Sequence, residues 1–123
     1  AEGLETAPSP PTSAITFPAN NTVLPSLATL SGTAADTDGV LQVEVSIQRM
    51  ADGKYWNGSV YQAGQAFVLA SGSNTWSLSS PSSIHSGTGT FTIVSRAKDN
   101  ANTFQNSFVL AQSSITVTRR LGR

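Results

Sequence analysis

The sequence contains no cysteine among its 123 residues. Disulfide bonds, thiolate zinc sites and cysteine nucleophiles are therefore excluded together. A chain of this length buries roughly two thirds of the surface that its unfolded state exposes, so its core can hold it together without crosslinks. We expect one compact domain that folds alone.

Charge is also scarce, since charged residues make up 11% of the chain and seven basic residues balance seven acidic ones. Binding to nucleic acid requires clustered Lys and Arg. Three of the basic residues, Arg119, Arg120 and Arg123, fall in the last five positions and predict a short basic tail over residues 119–123. No run approaches the ~18 apolar residues that span a bilayer. We therefore expect neither a nucleic-acid partner nor membrane insertion.

Histidine occurs once, at His85, and no serine or acid lies near it in a recognised nucleophile pattern. The sequence offers no paired acid and base, no histidine cluster that would bind a metal and no activated nucleophile. We therefore predict that the protein is not an enzyme and that it has no catalytic residues. His85 is interpreted as a surface loop residue.

The chain divides into three parts. Residues 1–12 contain Pro8, Pro10 and Pro11 without an apolar period, which predicts an extended linker. Residues 13–118 carry strand patterns throughout and form the predicted domain, and the basic tail follows.

The clearest strand lies in residues 40–50, where apolar and polar residues alternate with a period of two. Leu41, Val43, Val45 and Ile47 share one face of it. Further strands are predicted in residues 15–17, 27–34, 65–70, 74–79, 90–98 and 107–118. In the last of these the apolar face changes sides, which predicts a kink near residues 111–114.

Seven or more short strands separated by turn signals, with no helical period, predict an all-β sandwich of two sheets. The apolar residues on facing strands are the expected core. They are Phe17, Leu30, Val43, Val45, Ile47, Trp76, Phe91 and Ile93.

Several segments give the chain a family resemblance. They are Ser31-Gly32-Thr33-Ala34 with Asp36 and Gly39-Val40, Val43 to Arg49, Asp52 to Ser59, Trp76, and Arg96-Ala97-Lys98-Asp99-Asn100-Ala101. Over residues 13–118 the chain resembles the Ig-like repeat domains of large bacterial secreted and surface proteins. The resemblance implies an immunoglobulin-like sandwich of about seven to nine antiparallel strands. It implies a location outside the cell or on its surface, and no reaction.

On this basis we predict a non-catalytic structural spacer or adhesion module of a larger bacterial secreted or surface protein. Its partners would be neighbouring domains of the same polypeptide and a cell-surface glycan or protein, and the isolated domain would be a monomer. The alternative is an accessory ligand-binding module appended to a secreted enzyme, which would bind a carbohydrate or a calcium-dependent partner.

A calcium site is the first candidate. Asp36 and Asp38 follow the second predicted strand, and Asp99 and Asn100 follow the sixth, so Ig topology places both loops at one end of the domain. Calcium binds six to eight oxygen ligands. The alternative is that these Asp and Asn residues make turns by bonding to their own backbone. No other cofactor is expected.

An aromatic surface is the second candidate. Tyr55, Trp56 and Tyr61 could stack on sugar rings, and Asn57 could bond to sugar hydroxyls. The alternative is that Trp56 covers the edge of a sheet, as large amphipathic rings usually do.

Overall fold

The computed structural model describes residues 10–24, 29–79 and 89–119. These residues form strands, turns and loops but no helix, which confirms the all-β prediction. None of the described residues belongs to a helix that could cross a membrane. The strands are β1 Thr12–Phe17, β2 Thr22–Leu24, β3 Thr29–Ala35, β4 Val40–Arg49, β5 Lys54–Trp56, β6 Tyr61–Gln62, β7 Val68–Leu69, β8 Ser71–Gly72, β9 Thr75–Ser79, β10 Gly89–Asp99 and β11 Ser114–Arg119.

The strands form two sheets, as the sandwich prediction requires. The smaller sheet has the order β1-β3-β9-β8, and the larger has the order β2-β11-β10-β4-β5-β6 with β7 also paired to β4. The count exceeds the predicted seven to nine because β5 to β8 are separate pieces of two or three residues. The named strands pair antiparallel, as expected, except that β2 and β11 pair in parallel.

The strands β4 and β10 form the centre of the larger sheet and pair along nearly their whole length. Val43, Val45 and Ile47 are buried on the inner face, as their alternation predicts. Leu41 is an exception, because it is 46% exposed while Val40 is 8% exposed. A bulge explains this: Gln42 pairs with Lys98 and Val40 with Asp99, which leaves Leu41 unpaired and reverses the side on which it faces.

A bulge also explains why one residue predicted for the core, Phe17, is not buried. Phe17 is 51% exposed. In β1 the register shifts between Ile15, which pairs with Gly32, and Phe17, which pairs with Ser31. Thr16 is the extra residue, so Phe17 turns outward although it has the same parity as buried Ile15.

Trp76 fills the space between the sheets and is 1% exposed, which confirms its predicted place in the core. Its indole Nε1 donates a hydrogen bond of 3.0 Å to the carbonyl of Thr33. The ring lies directly over Gly32, where a Cβ atom would overlap both the ring and the carbonyl oxygen of Ala14. Only glycine at position 32 therefore leaves enough room for the Trp76 ring.

The structure shortens the strand predicted over residues 107–118, in which a kink near residues 111–114 was expected. Only residues 114–119 are extended. Residues 109–114 make a turn in which Ala111 has a φ of 70° and its amide donates to the carbonyl of Ser114 at 2.8 Å. The turn falls where the apolar face was predicted to change sides. The expected strand at 65–70 is reduced to Val68–Leu69.

The first strand, β1, begins at Thr12, and the last, β11, ends at Arg119, so one residue of the predicted linker and one of the predicted tail belong to strands. Pro11 is buried. The predicted linker up to residue 9, the tail beyond Arg119, and His85 lie outside the described residues.

Candidate metal centre

The loop between β3 and β4 meets the turn after β10 at one end of the domain. The main-chain amide of Asn100 donates to the carbonyl of Gly39 at 3.2 Å. The side-chain amide of Asn100 donates to the carbonyl of Asp38 at 2.8 Å. Gly39 has a φ of 87°, and a side chain there would press on this Asn100 amide. Of the four predicted site residues, Asn100 therefore has a structural role: its amides join the two loops.

This junction brings together the three predicted carboxylates. Asp36, Asp38 and Asp99 each offer one carboxylate oxygen, and the three oxygens lie within 4.8 Å of one another. Asp38 is exposed, Asp36 is half-buried and Asp99 is completely buried. The cluster thus runs from the surface into the end of the sandwich.

Asp99 is buried because it continues the inward-facing alternation of β10, and it pairs with Val40 beyond the bulge in β4. Its Oδ1 accepts hydrogen bonds from the amides of Ala101 at 2.9 Å and Thr103 at 2.8 Å, so this oxygen organises the turn. Its Oδ2 is also buried and has no hydrogen-bond partner within the described part of the chain. One oxygen of Asp99 therefore holds the backbone, and the other remains available to a ligand.

The two carboxylate oxygens of Asp36 also differ in their hydrogen bonding. Its Oδ2 accepts a hydrogen bond of 2.8 Å from the amide of Asp38, which closes the loop. Its Oδ1 is buried without a partner among the described residues. Hydrogen bonds within the turns thus account for one carboxylate oxygen of Asp36 and one of Asp99. They leave the second oxygen of both residues without a partner in the part of the chain that the structure describes.

The electrostatics of the cluster favour a hard cation. The ion pairs among residues 10–24, 29–79 and 89–119 join Arg49 to Asp52 and Arg96 to Glu44, and neither involves the cluster. A buried carboxylate without compensation is strongly unfavourable. Calcium and magnesium prefer carboxylate and carbonyl oxygens, whereas zinc and copper prefer imidazole and thiolate. The donor set of Asp36, Asp38 and Asp99 therefore fits an oxygen-seeking divalent cation.

The second candidate group lies in the hairpin of β5 and β6. Tyr55, Trp56 and Tyr61 are half-buried, and Trp56 and Tyr61 pack against the core. The rings of Trp56 and Tyr61 meet edge to face, with centroids 5.3 Å apart and planes at 63°. These two rings therefore do not form one flat platform.

Asn57 closes the turn of this hairpin. Its Oδ1 accepts from the amides of Ser59 and Val60, each at 2.9 Å, and its Nδ2 donates to Gln62 at 2.9 Å. The structure thus collects Tyr55, Trp56, Asn57 and Tyr61 in one hairpin, and their use in binding carbohydrate stays a prediction.

A neighbouring ion pair supports the hairpin. The guanidinium carbon of Arg49 lies 3.9 Å from the centroid of the Tyr61 ring. Arg49 also donates two hydrogen bonds to Asp52, at 3.1 and 2.7 Å. The hydrogen bond from Arg49 is the main cause that lowers the pKa of Asp52 to about 2. Asp52 therefore remains ionised throughout the neutral and mildly acidic range.

No protein-family model matches the chain, and no curated protein matches it. Among solved structures, the chain is similar to the fibronectin(III)-like modules of CbhA from Clostridium thermocellum, with a TM-score of 0.56 and 16% identity over 94% of this chain and 49% of that one. It is also similar to CopC from Methylosinus trichosporium OB3b, with a TM-score of 0.53 and 15% identity over 88% of this chain and 93% of that one.

These similarities define the class of protein. The chain is a β-sandwich domain with the fold of fibronectin(III)-like and immunoglobulin-like modules. It spans about half the length of the CbhA chain that it matches. At this level of identity the similarity carries the fold alone.

Proposed function

We propose that the chain is a non-catalytic Ig-like module of a larger secreted or cell-surface bacterial protein, in which a calcium ion fixes one end of the sandwich. One observation carries the calcium assignment: Asp99 is completely buried, its Oδ2 has no partner among the described residues, and Asp36 and Asp38 each offer an oxygen within 4.8 Å. The module would serve as a spacer or an adhesion domain, and its immediate partners would be neighbouring domains of the same polypeptide.

The sandwich fold and the resemblance to bacterial surface repeats support a location outside the cell. Calcium sites in extracellular modules bind in the range of about 10⁻⁴ to 10⁻³ M, which is much weaker than the sites of intracellular sensors. A site with three carboxylates, one of them at the surface, suits this weaker range. The millimolar calcium outside cells would keep it filled.

The calcium ion would be bound by the side chains of Asp36, Asp38 and Asp99, and water or carbonyl oxygens would complete its coordination. Its charge would offset the repulsion among the three carboxylates. Since Asp36 and Asp38 belong to the loop after β3 and Asp99 to the end of β10, the ion would also tie the smaller sheet to the larger one. A stiffer domain end is what a spacer between neighbours requires.

Thermal unfolding tests this proposal. Calcium at about 10 mM exceeds a Kd of about 10⁻⁴ to 10⁻³ M by roughly 10- to 100-fold, and it would stabilise the native state by roughly 1.4–2.7 kcal/mol, which raises the unfolding midpoint of a domain of this size by about 6–10 °C. We expect such a rise when millimolar calcium replaces EDTA, and a much smaller one with magnesium, which is reluctant to lose its water shell.

The matched control is Asp52→Asn, because Asp52 is an exposed carboxylate outside the cluster. It should retain the whole difference between calcium and EDTA. Equal midpoints of the wild-type protein in calcium and EDTA would refute the calcium assignment and leave the spacer role without a metal.

A further inference from the structure

A cleft lies on the outer face of the larger sheet, away from the carboxylate cluster. In β10, Phe91, Ile93, Ser95 and Ala97 face the core, and the residues between them face outward. Loop residues and the outer face of β10 together line a cleft of about 340 Å³, and this volume is within the range of small-molecule sites. It is lined by Gln65, Phe67, Val94, Arg96, Gln105 and Phe108.

Arg96 is the polar centre of the cleft and is held in place by two aromatic rings. Its guanidinium carbon lies 3.8 Å from the ring centroid of Phe67 and 4.1 Å from that of Phe104. Its ion pair with Glu44 uses the Nη2 atom alone, at 2.6 Å. Its Nε is buried and has no acceptor among the described residues. The guanidinium is therefore fixed in position and retains an unused donor.

The charges around the cleft do not balance. Glu44 is the only carboxylate that the described residues bring to Arg96, and its second oxygen already accepts a hydrogen bond of 2.9 Å from Gln42. A second cation, Lys98, has its Nζ 5.0 Å from the Phe104 ring and makes no ion pair within the described ranges. Two cations and one carboxylate leave a local excess of one positive charge.

The walls of the cleft are apolar, and two of them are aromatic. Phe108 lines the cleft and is exposed although it has a large apolar side chain. Phe67 also lines the cleft, and the guanidinium of Arg96 lies over its ring. Aromatic rings in such a position gain by packing edge to face or offset against another ring.

We infer that this cleft binds a small aromatic carboxylate, with the ring of the ligand between Phe67 and Phe108 and its carboxylate towards Arg96 and Lys98. The apolar walls select the ring, and the local positive charge selects the anion. The inference does not depend on the calcium site, because its residues lie elsewhere.

Nuclear magnetic resonance titration of the whole chain tests this inference, with phenylpropionate as the probe. Acetate supplies the charge without the ring, and phenylethanol supplies the ring without the charge. We expect phenylpropionate alone to produce saturable shifts at Val94, Gln65 and the Nε–H of Arg96, with a roughly millimolar Kd.

Two variants sharpen the test. Phe108→Ala should weaken binding roughly three- to tenfold by removing one aromatic wall, and Lys98→Gln should weaken binding of the anion. Val60→Ala shortens an exposed apolar side chain that does not line the cleft, and this variant should bind as the wild type does. None of the three positions is buried, so folded spectra are expected throughout.

The inference is overturned if phenylpropionate shifts the spectrum no more than acetate does, or if the shifts map away from the cleft. It is also overturned if phenylethanol binds as well as phenylpropionate, or if Phe108→Ala and Val60→Ala bind equally.

Discussion

In EDTA, the Asp38→Asn variant is expected to unfold at a higher temperature than the wild-type protein. Asp38 is exposed, and no hydrogen bond involves its carboxylate within the described residues, so its amide analogue leaves the loop intact. Without a cation, three carboxylates within 4.8 Å repel one another. Removing one of these charges should stabilise the calcium-free protein by about 1 kcal/mol, which raises its unfolding midpoint by roughly 4 °C.

In millimolar calcium the order of the two proteins is expected to reverse. The wild-type protein gains the full stabilisation by the ion, whereas Asp38→Asn has lost one charged ligand and gains little. Midpoints of the two proteins, measured by circular dichroism in EDTA and in calcium, give the four values required. If the variant were less stable in both solutions, the three carboxylates would not be repelling one another, and the cluster would be a set of turns.

The Trp76→Ala variant should show the largest loss of stability in this molecule. Truncation of a buried tryptophan typically costs about 3–5 kcal/mol, since it removes apolar contacts and leaves a cavity. Trp76 is completely enclosed, packs against the backbone at Gly32 and satisfies the carbonyl of Thr33. The unfolding midpoint should fall by more than about 10 °C.

Trp56→Ala is the matched control, because Trp56 is half-buried and lies at the edge hairpin. It should cost less than half as much in urea unfolding. If Trp76→Ala fails to fold, Trp76→Phe, which keeps part of the ring, should fold with an intermediate loss. Equal losses at Trp56 and Trp76 would contradict the description of the core.

The main features of the fold could be predicted because they depend on local patterns. Val43, Val45 and Ile47 alternate with polar residues along β4, and β10 has the same period. The errors at Leu41 and Phe17 arise from bulges. A bulge inserts one residue into a ladder and reverses the parity beyond it, and the sequence pattern alone does not reveal where it lies.

The convergence of Asp36, Asp38 and Asp99 was also predictable, because strand order brings the two loops to the same end. Their unequal burial was not. Asp99 lies on the inward-facing side of β10 and is enclosed where it pairs with Val40 of β4, and its Oδ1 is occupied by the amides of the turn that follows. These are properties of the packed chain that the Asp-rich sequence does not contain.

The cleft at Arg96 could not be predicted from the sequence. Phe67 and Phe104, which stack on Arg96, come from two loops that are distant along the chain. Neither loop has a periodic pattern that would direct an aromatic side chain towards the outer face of β10. Only the folded arrangement of the loops over the sheet brings the rings to the guanidinium.

Calorimetric titration of calcium into the chelator-stripped protein tests the central claim most directly. The proposal predicts that the wild-type chain binds one ion and that Asp38→Asn binds far more weakly under the same conditions. A flat titration of folded wild-type protein, or equal binding by the two proteins, would contradict it.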